Sequence, residues 1–288
     1  MEIAVAQFHN RTRRSLSIPA KLLRRGRLLE IPLYYLLRMS DLAREGLDHS
    51  GSYRFADHIY RNVPSGRGRL GRWLDARLLE MRAVRSFRNR FLAVRDALRD
   101  FLTSVPASPV RDMSYSAALM DVLSVPCGIP REMVEGVRLY RQRTGGTLEG
   151  IRFHGLDLDA GVLREAEAFA RAGGLPNFTP HHGDALDRAS YPAAADFITS
   201  TGLAEFLDNT QLERLYTIFF DVLRPGGVLV TSGMQPTRIS EYLLRLAELD
   251  THYRSPAELE AIARRLPFAS VRTRLDGAGL QTILIATK

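Results

Sequence analysis

Three short segments in the second half of the chain carry residues that could bind a nucleotide-like ligand. Pro126-Cys127-Gly128 follows a predicted strand, Asp157 ends the next predicted strand, and Asp184 lies in His182-Gly-Asp-Ala-Leu186. A small-residue turn before a helix lets a ligand approach the backbone and the helix N-terminus. A carboxylate at the C-terminal end of a strand can accept hydrogen bonds from both ribose hydroxyls, which favours Asp157 as a ribose ligand. Asp159 is better interpreted as the N-cap of the following helix.

A second group of candidates could assist a reaction as bases or as cation-binding rings. An imidazole that titrates near neutral pH can deprotonate a hydroxyl or ammonium nucleophile, and a tyrosine ring can hold a cation. Packing or simple hydrogen bonding is the ordinary alternative for each of them. Most lie in residues 46–69, a glycine-rich polar segment that we interpret as a functional loop. The predicted catalytic residues are Tyr53, His58, Tyr60 and Tyr115, with His49 and Glu205 as further candidates.

Metal binding and thiol chemistry are not expected. His181 and His182 have no third ligand near them in the sequence, so they do not predict a metal site. Cys127 is the single cysteine, which excludes an internal disulfide and fits a reducing compartment. We expect this side chain to pack in the turn rather than to attack a substrate.

Composition places the chain among ordinary globular proteins. Of its 288 residues, 45% are hydrophobic and 25% are charged. No apolar run reaches the roughly 18 residues that a membrane span needs, and residues 1–10 lack the features of a signal peptide. We therefore expect a cytoplasmic location.

The basic charge belongs to the N-terminal part. Residues 1–120 carry 22 Lys+Arg against 11 Asp+Glu, whereas residues 121–288 carry 18 against 21. Such asymmetry can indicate an acidic partner: nucleic acid, anionic lipid or an anionic substrate. However, 21 of the 22 cations are arginine, which also fits solvated helix faces in a protein from a GC-rich genome.

The pattern of elements changes along the chain. Residues 1–27 are basic and are predicted to form a mobile arm or a short helix after Pro19. A helix that is apolar on more than one face is predicted over 28–47. Apolar residues at helical spacing predict a helix over 83–102, with arginines mostly off that stripe. The Pro-containing segment 105–110 is the predicted domain boundary, which separates a helical region, 1–110, from an α/β domain, 111–288.

Strands and helices alternate beyond this boundary, which predicts a parallel sheet. The predicted strands are 119–125, 151–157, 195–200, 226–232, 270–276 and 280–287. The predicted helices are 130–143, 160–172, 209–223, 238–249 and 256–265. The last two strands flank Gly277-Ala278-Gly279 and form an antiparallel hairpin in this interpretation.

The order of these segments resembles the class I S-adenosylmethionine-dependent methyltransferases. The resemblance covers roughly residues 114–288, and its most specific part is Leu-Arg-Pro-Gly-Gly before a strand. It is carried by Val-Leu-Ser-Val-Pro-Cys-Gly (122–128), Gly-Leu-Asp-Leu-Asp (155–159), Gly-Asp-Ala (183–185), Ala-Asp-Phe-Ile-Thr-Ser (195–200), Leu-Arg-Pro-Gly-Gly-Val-Leu-Val (223–230) and Tyr-Arg-Ser-Pro-Ala-Glu-Leu-Glu (253–260).

The resemblance implies an α/β fold with a doubly wound, seven-stranded, mostly parallel sheet whose last strand is antiparallel, here with an N-terminal helical cap. It implies S-adenosylmethionine as the cofactor, with Gly128 beside its methionine part, Asp157 on the ribose, Asp184 on the adenine, and the residues after Thr199 facing the sulfonium. The predicted cofactor-binding residues are Pro126, Cys127, Gly128, Arg131, Asp157, Leu158, Asp184, Ala185, Ser200 and Thr201.

The turn after the first strand departs from the family pattern. Asp-x-Gly-x-Gly-x-Gly is usual, whereas this chain has Ser124-Val-Pro-Cys-Gly-Ile-Pro130. Proline has no backbone donor and cannot take a positive φ, so the wall around the amino-carboxypropyl arm must be reshaped. Arg131 and Glu132 follow the turn and could take over the carboxylate and the ammonium of that arm. The 29 residues from Gly128 to Asp157 exceed the roughly 20 of a dinucleotide fingerprint, which counts against NAD.

These observations leave three functions open. The first is a methyltransferase for a small molecule or a lipid. The second is an enzyme that transfers or cyclises the aminocarboxypropyl arm and releases methylthioadenosine, because the altered turn contacts that arm. The third is a basic protein that binds nucleic acid or a membrane surface. We expect no specific nucleic-acid partner, while the basic N-terminal region leaves a peripheral membrane contact open.

Overall fold

A computed structural model of the chain describes residues 17–48, 53–104, 120–236 and 251–288. The chain forms two compact units: residues 1–88 with 236–251, and residues 89–235 with 252–288. The predicted boundary at 105–110, like the predicted helix 238–249, lies outside the described residues. The division into 1–110 and 111–288 therefore stays a prediction, although the compact units divide at Arg88 and Asn89.

The described part of the first unit is helical. Its helices are α1 (Ile18–Arg24), α2 (Glu30–Leu37), α3 (Asp41–Asp48), α4 (Tyr53–Arg61), α5 (Gly68–Leu79) and the beginning of α6 (Arg82–Ser104). Helix α6 confirms the helix predicted over 83–102. Helix α1 agrees with one of the two alternatives predicted for residues 1–27, although it begins at Ile18 rather than after Pro19. Leu42, Ile59 and Leu79, from three different helices, form the small buried core of this unit.

Two sequence predictions in this unit are wrong. The single helix predicted over 28–47 is two helices, because the Ser40 hydroxyl accepts a hydrogen bond from the Ala43 amide (3.1 Å) and starts a new helix there. The segment 46–69 is not a loop: it contains α4 and the start of α5. Phe55 and Ile59 are four residues apart and pack toward the same core, a helical spacing hidden among polar residues.

One carboxylate joins the helices of the first unit. Asp75 on α5 is fully buried and accepts hydrogen bonds from the Ser40 hydroxyl, the Leu42 amide (2.9 Å), the Ser65 amide (3.0 Å) and His58 Nε2 (2.9 Å). Burial by itself raises the pKa of Asp75, but the four hydrogen bonds outweigh it and lower this pKa to about 2. Asp75 is therefore a structural anchor that remains ionised at neutral pH.

The second unit contains a seven-stranded sheet in the described part of the chain. The strands are β1 (Met120–Ser124), β2 (Ile151–Asp157), β3 (Phe178–His182), β4 (Ala195–Ser200), β5 (Leu223–Met234), β6 (Ser270–Leu275) and β7 (Gln281–Thr287). Their order is β3-β2-β1-β4-β5-β7-β6. The pairs among β1 to β5 are parallel, and β7 is antiparallel to both neighbours, which confirms the predicted fold class.

Two details of the sheet differ from the sequence predictions. The strand β3 was not among the predicted strands, because Phe178 is its only buried residue and Pro180 interrupts the pattern. The strand β5 begins at Leu223 rather than at residue 226, and its register with β4 shifts between Ala195 and Phe197.

Helices cover both faces of the sheet. They are the later part of α6, α7 (Arg131–Thr144), α8 (Ala160–Ala172), α9 (Asn209–Val222) and α10 (Pro256–Ala263). Val122, Phe153 and Phe197 face α6, α7 and α8, whereas Leu123 and Ile198 alternate with them and face α9 and α10. No helix in the described ranges is both long and apolar enough to cross a membrane.

Charged side chains cover one part of the sheet face on which α9 and α10 pack. Residues 183–194, between β3 and β4, form only a 3-10 turn (Arg188–Ser190) instead of a covering helix. On this side of β1, the buried Asp121 accepts hydrogen bonds from Arg152 (2.7 Å), Arg224 (2.7 Å) and His154 Nε2 (2.8 Å). Burial opposes ionisation of Asp121, but these partners lower its pKa to about 2.

Candidate functional site

The C-terminal ends of β1 and β2 are joined through Asp157. Its Oδ2 atom accepts a hydrogen bond from the Gly128 amide (3.0 Å), and its Oδ1 atom accepts one from the Asp159 amide (3.1 Å). Gly128 has a φ of +50°, which a residue with a side chain rarely adopts. Burial raises the pKa of Asp157, against the opposing effect of these amides. The carboxylate is thus held at the strand ends, where ligands of open α/β sheets bind.

The Cys127 side chain packs in the core. Its Sγ atom would lie 2.4 Å from a Cβ atom built on Gly155, so the strand β2 needs glycine there. Burial, followed by the charges of Asp157 and Glu132, raises the pKa of the thiol well above its ordinary value. A cofactor contact of Cys127 is therefore limited to its backbone. Pro126, preceded by a cis peptide bond, and Gly128 are both partly exposed beside it.

The third strand is tied to the same edge. The Gly183 amide donates to the Asp157 carbonyl (3.1 Å), and His182 Nε2 lies 2.9 Å from the Leu158 carbonyl. Asp184 Oδ1 accepts from the Leu186 amide (2.8 Å) and closes a short turn. The Ala185 carbonyl accepts from the Tyr191 hydroxyl (2.6 Å). Three predicted ligands, Leu158, Asp184 and Ala185, therefore lie in the loops that follow β2 and β3.

Helix α7 begins directly after the turn and brings two charged side chains to it. The Glu132 carboxyl group is buried and accepts a hydrogen bond from the Ser124 hydroxyl (3.2 Å) at the end of β1. The Arg131 guanidinium lies over the Phe169 ring, 4.8 Å from its centroid, and 3.9 Å from Glu135. Arg131 thus packs along α8, while Glu132 enters the interior below the turn.

The segment after β4 is supported by buried arginines. Arg90 on α6 lies 3.4 Å from Glu205, and both side chains are 4% exposed. Gly202, with a φ of +84°, passes over this pair: a Cβ atom there would lie 3.6 Å from the Arg90 guanidinium. Arg254 donates to the carbonyl groups of Ala204 (2.6 Å) and Leu207.

These contacts fix the backbone beyond Ser200 and Thr201, the two predicted ligands in this segment. The Ser200 side chain is buried, whereas Thr201 is partly exposed. Burial raises the pKa of Glu205, against the charges of Arg90 and Arg254. Glu205, proposed from the sequence as a catalytic candidate, is therefore a buried partner of Arg90 in the described structure.

Polar side chains on β4, β5 and β7 form a row on the face of the sheet that packs against α6. Thr199 pairs with Val230, Ser232 follows two residues later, and Met234 pairs with Gln281, so these side chains share one face. Thr199, Ser232 and Gln281 are each at most 1% exposed. Within the described ranges, their side-chain oxygen and nitrogen atoms have no hydrogen-bond partner. Buried polar groups of this kind call for a bound water or ligand.

The predicted catalytic residues belong to the first unit or lie outside the described residues. His58 Nε2 is engaged by Asp75, the Tyr53 hydroxyl accepts from Arg54 Nε (3.0 Å), and Tyr60 packs on the small helical core. Tyr115 and His49 lie outside the described ranges. The catalytic roles stay predictions.

Arg90, Arg254 and the polar row were missed by sequence reasoning. One signal was present: Arg90 falls between Phe87 and Val94 on the apolar stripe of α6, where a cation must be buried and paired. The N-cap role of Asp159 was predicted correctly, because its Oδ1 atom accepts from the Gly161 amide (2.7 Å). In the described part of the chain, no cluster of three or more His, Cys, Asp or Glu side chains could hold a metal ion.

The site fits an adenosyl sulfonium with an amino-acid arm. The Asp157 carboxylate accepts hydrogen bonds from backbone amides, which leaves part of its capacity of about four acceptor positions for ribose hydroxyls. The neighbouring turn, held by Asp157 through Gly128, leads to the buried carboxyl group of Glu132 and the N-terminus of α7.

Comparison with known proteins identifies the family. Residues 41–288 match a protein family described as "Putative methyltransferase", and the chain belongs to this family. A comparison with curated proteins finds no match.

Several solved structures share the fold of this chain. A possible exported protein from Bordetella parapertussis is 23% identical, with 99% of this chain and 96% of that chain covered and a TM-score of 0.72. Magnesium protoporphyrin IX methyltransferase from Synechocystis PCC 6803, with bound S-adenosylhomocysteine, is 12% identical, with 81% and 93% covered and a TM-score of 0.52. The S-adenosylmethionine-dependent methyltransferase SibL is 17% identical, with 93% and 76% covered and a TM-score of 0.50.

These identities are low, so the structures show the fold alone. Together with the family, the fold confirms the predicted class: the chain is a class I methyltransferase-like, S-adenosylmethionine-dependent transferase. Family and fold also support S-adenosylmethionine as the cofactor.

Proposed function

We propose that the protein transfers the methyl group of S-adenosylmethionine to a small molecule or a lipid that carries hydrogen-bonding groups. The observation that supports this acceptor class is the row of Thr199, Ser232 and Gln281. These side chains lie on β4, β5 and β7, next to the strand ends proposed to hold the cofactor. They offer both hydrogen-bond donors and acceptors. A small ligand that enters this buried site could satisfy them.

The residues of this chain bind and orient rather than form bonds. The bound cofactor supplies an already activated methyl group, so the reaction needs alignment and exclusion of water more than an acid or a base. Asp157 holds the ribose, and Asp184 lies in the loop assigned to the adenine. Arg90 and Arg254 fix the segment after β4, which faces the sulfonium in this assignment.

Product analysis tests the proposal. The full chain is incubated with S-adenosylmethionine labelled in its methyl group and with a cell extract, which is then separated into small-molecule, lipid, protein and nucleic-acid fractions. We expect S-adenosylhomocysteine to form and the label to enter the small-molecule or lipid fraction. Label confined to protein or nucleic acid would contradict the acceptor class.

The altered turn favours a second candidate function. Pro126 and Pro130 bracket the turn, and Glu132 adds a buried carboxyl group at the position proposed for the amino-acid arm. An enzyme that transfers or cyclises the aminocarboxypropyl arm would release methylthioadenosine instead of S-adenosylhomocysteine. Methylthioadenosine as the only product of the same incubation would establish this candidate and exclude methyl transfer.

The predicted absence of a specific nucleic-acid partner has support from α6. Arg95 and Arg99 on this helix pair with Asp96 (2.8 and 3.2 Å), which reduces the charge they present to a polyanion. Nucleic-acid binding that falls steeply with salt would contradict this prediction.

The predicted membrane contact has support from α1 and the turn that follows it. Leu23, Leu28 and Leu29 are 60%, 57% and 93% exposed beside Arg24 and Arg25, a combination that interfacial helices use. Co-sedimentation with vesicles of phosphatidylserine and phosphatidylcholine, compared with phosphatidylcholine alone, tests this contact. Equal recovery with both kinds of vesicle would contradict an electrostatic contribution.

A further inference from the structure

The first turn of α7 contains a buried acidic group to which the proposed methyl transfer gives no task. Glu132 is the second residue of this helix and is 9% exposed. The Ser124 hydroxyl, at the last residue of β1, donates to its Oε1 atom over 3.2 Å. A carboxylate removed from water in this way is stable only when a cation or several donors compensate it.

Charged and titratable groups from α6, α7 and the turn after β1 lie near Glu132. The positive charges of Arg90 on α6 and Arg131 on α7 favour the ionisation of Glu132. In the turn after β1, the Cys127 thiol interacts electrostatically with both Glu132 and Asp157. Both arginines are shared with another carboxylate, since Arg90 is 3.4 Å from Glu205 and Arg131 is 3.9 Å from Glu135. Burial therefore outweighs the amide, hydroxyl and arginine contributions and raises the pKa of Glu132 to about 7.

The geometry of the site leads the cofactor's amino-acid arm to this carboxyl group. Asp157, at the proposed ribose position, holds the Gly128 amide at 3.0 Å, so the group attached to the ribose lies beside this turn. Residues 129 and 130 connect the turn to the first turn of α7, where Glu132 is buried. The arm ends in an α-ammonium and a carboxylate. A buried acidic group matches the first of these, and the helix N-terminus matches the second.

We propose that Glu132 receives the α-ammonium group of S-adenosylmethionine as a carboxylate, and that cofactor binding therefore releases a proton from this side chain. The inference rests on the proposed cofactor site. In the free protein near neutral pH, the carboxyl group holds a proton in part of the molecules. On binding, this proton passes to the solvent, the ammonium keeps its own protons, and no covalent bond in the cofactor changes.

The sign of the pH dependence follows from this exchange. Below about pH 7, most of the free protein carries the proton that must leave, so cofactor affinity falls as the pH falls. Above this pH the carboxylate is already formed, and Glu132 no longer contributes to the pH dependence of the affinity. From pH 8 to pH 6 we expect affinity to decrease about tenfold.

Calorimetric titration of the native full chain tests the proposal without a variant. S-Adenosylhomocysteine, which has the complete amino-acid arm, is titrated at pH 6, 7 and 8 in two buffers of different ionisation enthalpy. The expected release is close to one proton at pH 6, about one half at pH 7 and close to zero at pH 8. 5′-Methylthioadenosine shares the adenine and ribose but lacks the arm, so it should release no more than any ribose-linked background.

Two substitutions on α7 make the assignment residue-specific. Glu132→Gln keeps the shape but cannot form the ion pair, so we expect the affinity for S-adenosylhomocysteine at pH 8 to fall about 10- to 100-fold and the excess proton release to vanish. Unchanged binding of 5′-methylthioadenosine would show that this variant is folded. Glu135→Gln, one turn further along and partly exposed, should behave as the native protein does.

The outcomes separate this inference from the proposed function. If the folded protein binds neither ligand, the cofactor site itself is wrong. If both ligands bind, but S-adenosylhomocysteine releases no more protons than 5′-methylthioadenosine, the role of Glu132 is wrong while the cofactor site stands. Excess proton release that persists in Glu132→Gln would also overturn the role of this residue.

Discussion

Replacement of Asp157 by alanine should weaken cofactor binding without unfolding the protein. In the described structure, its carboxylate accepts from the Gly128 amide (3.0 Å) and the Asp159 amide (3.1 Å). Both bonds exist without a ligand, so their loss affects the free and the bound protein alike. The difference in binding comes from the remaining acceptor capacity of the carboxylate, which faces the ribose hydroxyls in our assignment.

Hydrogen bonds to a charged group contribute about 1.5–3 kcal/mol each when measured by removal of one partner. Part of this is recovered by water that enters the variant site, so we expect a net loss of about 1–3 kcal/mol. This loss corresponds to a dissociation constant roughly 5- to 150-fold larger. Titration calorimetry with S-adenosylhomocysteine measures it directly, and near-ultraviolet circular dichroism shows whether the variant is folded.

Asp159→Ala is the matched control, because this neighbouring carboxylate caps α8 instead of facing the ligand. Its Oδ1 atom accepts from the Gly161 amide (2.7 Å) and the Val162 amide (3.3 Å). Loss of an N-cap should cost about 0.5–2 kcal/mol of stability with little change in affinity. An unchanged affinity in Asp157→Ala, or an equal loss in both variants, would refute the ribose assignment.

Three further predictions concern buried groups. Between about pH 4 and pH 2, protonation of Asp75 should remove roughly 2 kcal/mol of stability, because its folded pKa of about 2 is below its ordinary value. Urea unfolding, followed by the fluorescence of the single tryptophan, measures this loss. A native protein that loses no more stability than Asp75→Asn over this pH range would contradict the prediction. Arg90→Met should lower the free energy of unfolding by about 3–5 kcal/mol, because Glu205 stays buried without its cation. The second substitution Glu205→Leu should restore much of this stability, as measured by thermal unfolding. Fully additive losses in the double variant would argue against the ion pair. Cys127 should react with 5,5′-dithiobis(2-nitrobenzoate) only in denaturant, because burial raises the pKa of its thiol. Rapid labelling of the native protein would show that the Cys127 side chain is not packed in the core.

Much of the sheet could be predicted because its signals are local. The strands β1, β2 and β4 are short apolar runs that alternate with helical patterns, and Asp157 ends a run that is easy to delimit. The strand β3 gave no such signal, because one edge strand with a proline resembles a turn. The glycine-rich composition of 46–69 concealed α4 for a related reason: its helical spacing rests on few apolar residues.

The buried side-chain networks within the two units could not be predicted, because their members are far apart in the sequence. Asp75 binds Ser40 and Leu42, which precede it by 35 and 33 residues, and Arg90 meets Glu205 across 115 residues. Such pairs depend on tertiary packing that no local pattern contains. The carboxylates at the strand ends were predictable because the alternation of strands and helices places them at one edge. The catalytic roles of Tyr53, His58, Tyr60 and Tyr115 stay predictions.

The charge network around Asp121 has a consequence for the heat-induced unfolding of the sheet. Arg152 and Arg224, which are 45% and 36% exposed, close this part of β1 and β2, where a helix would otherwise contribute hydrocarbon. Hydration of newly exposed polar surface lowers the heat capacity, whereas hydration of apolar surface raises it. The region around Asp121 should therefore contribute little to the increase in heat capacity on unfolding. Its contribution to stability should vary less steeply with temperature than that of the apolar core beside it.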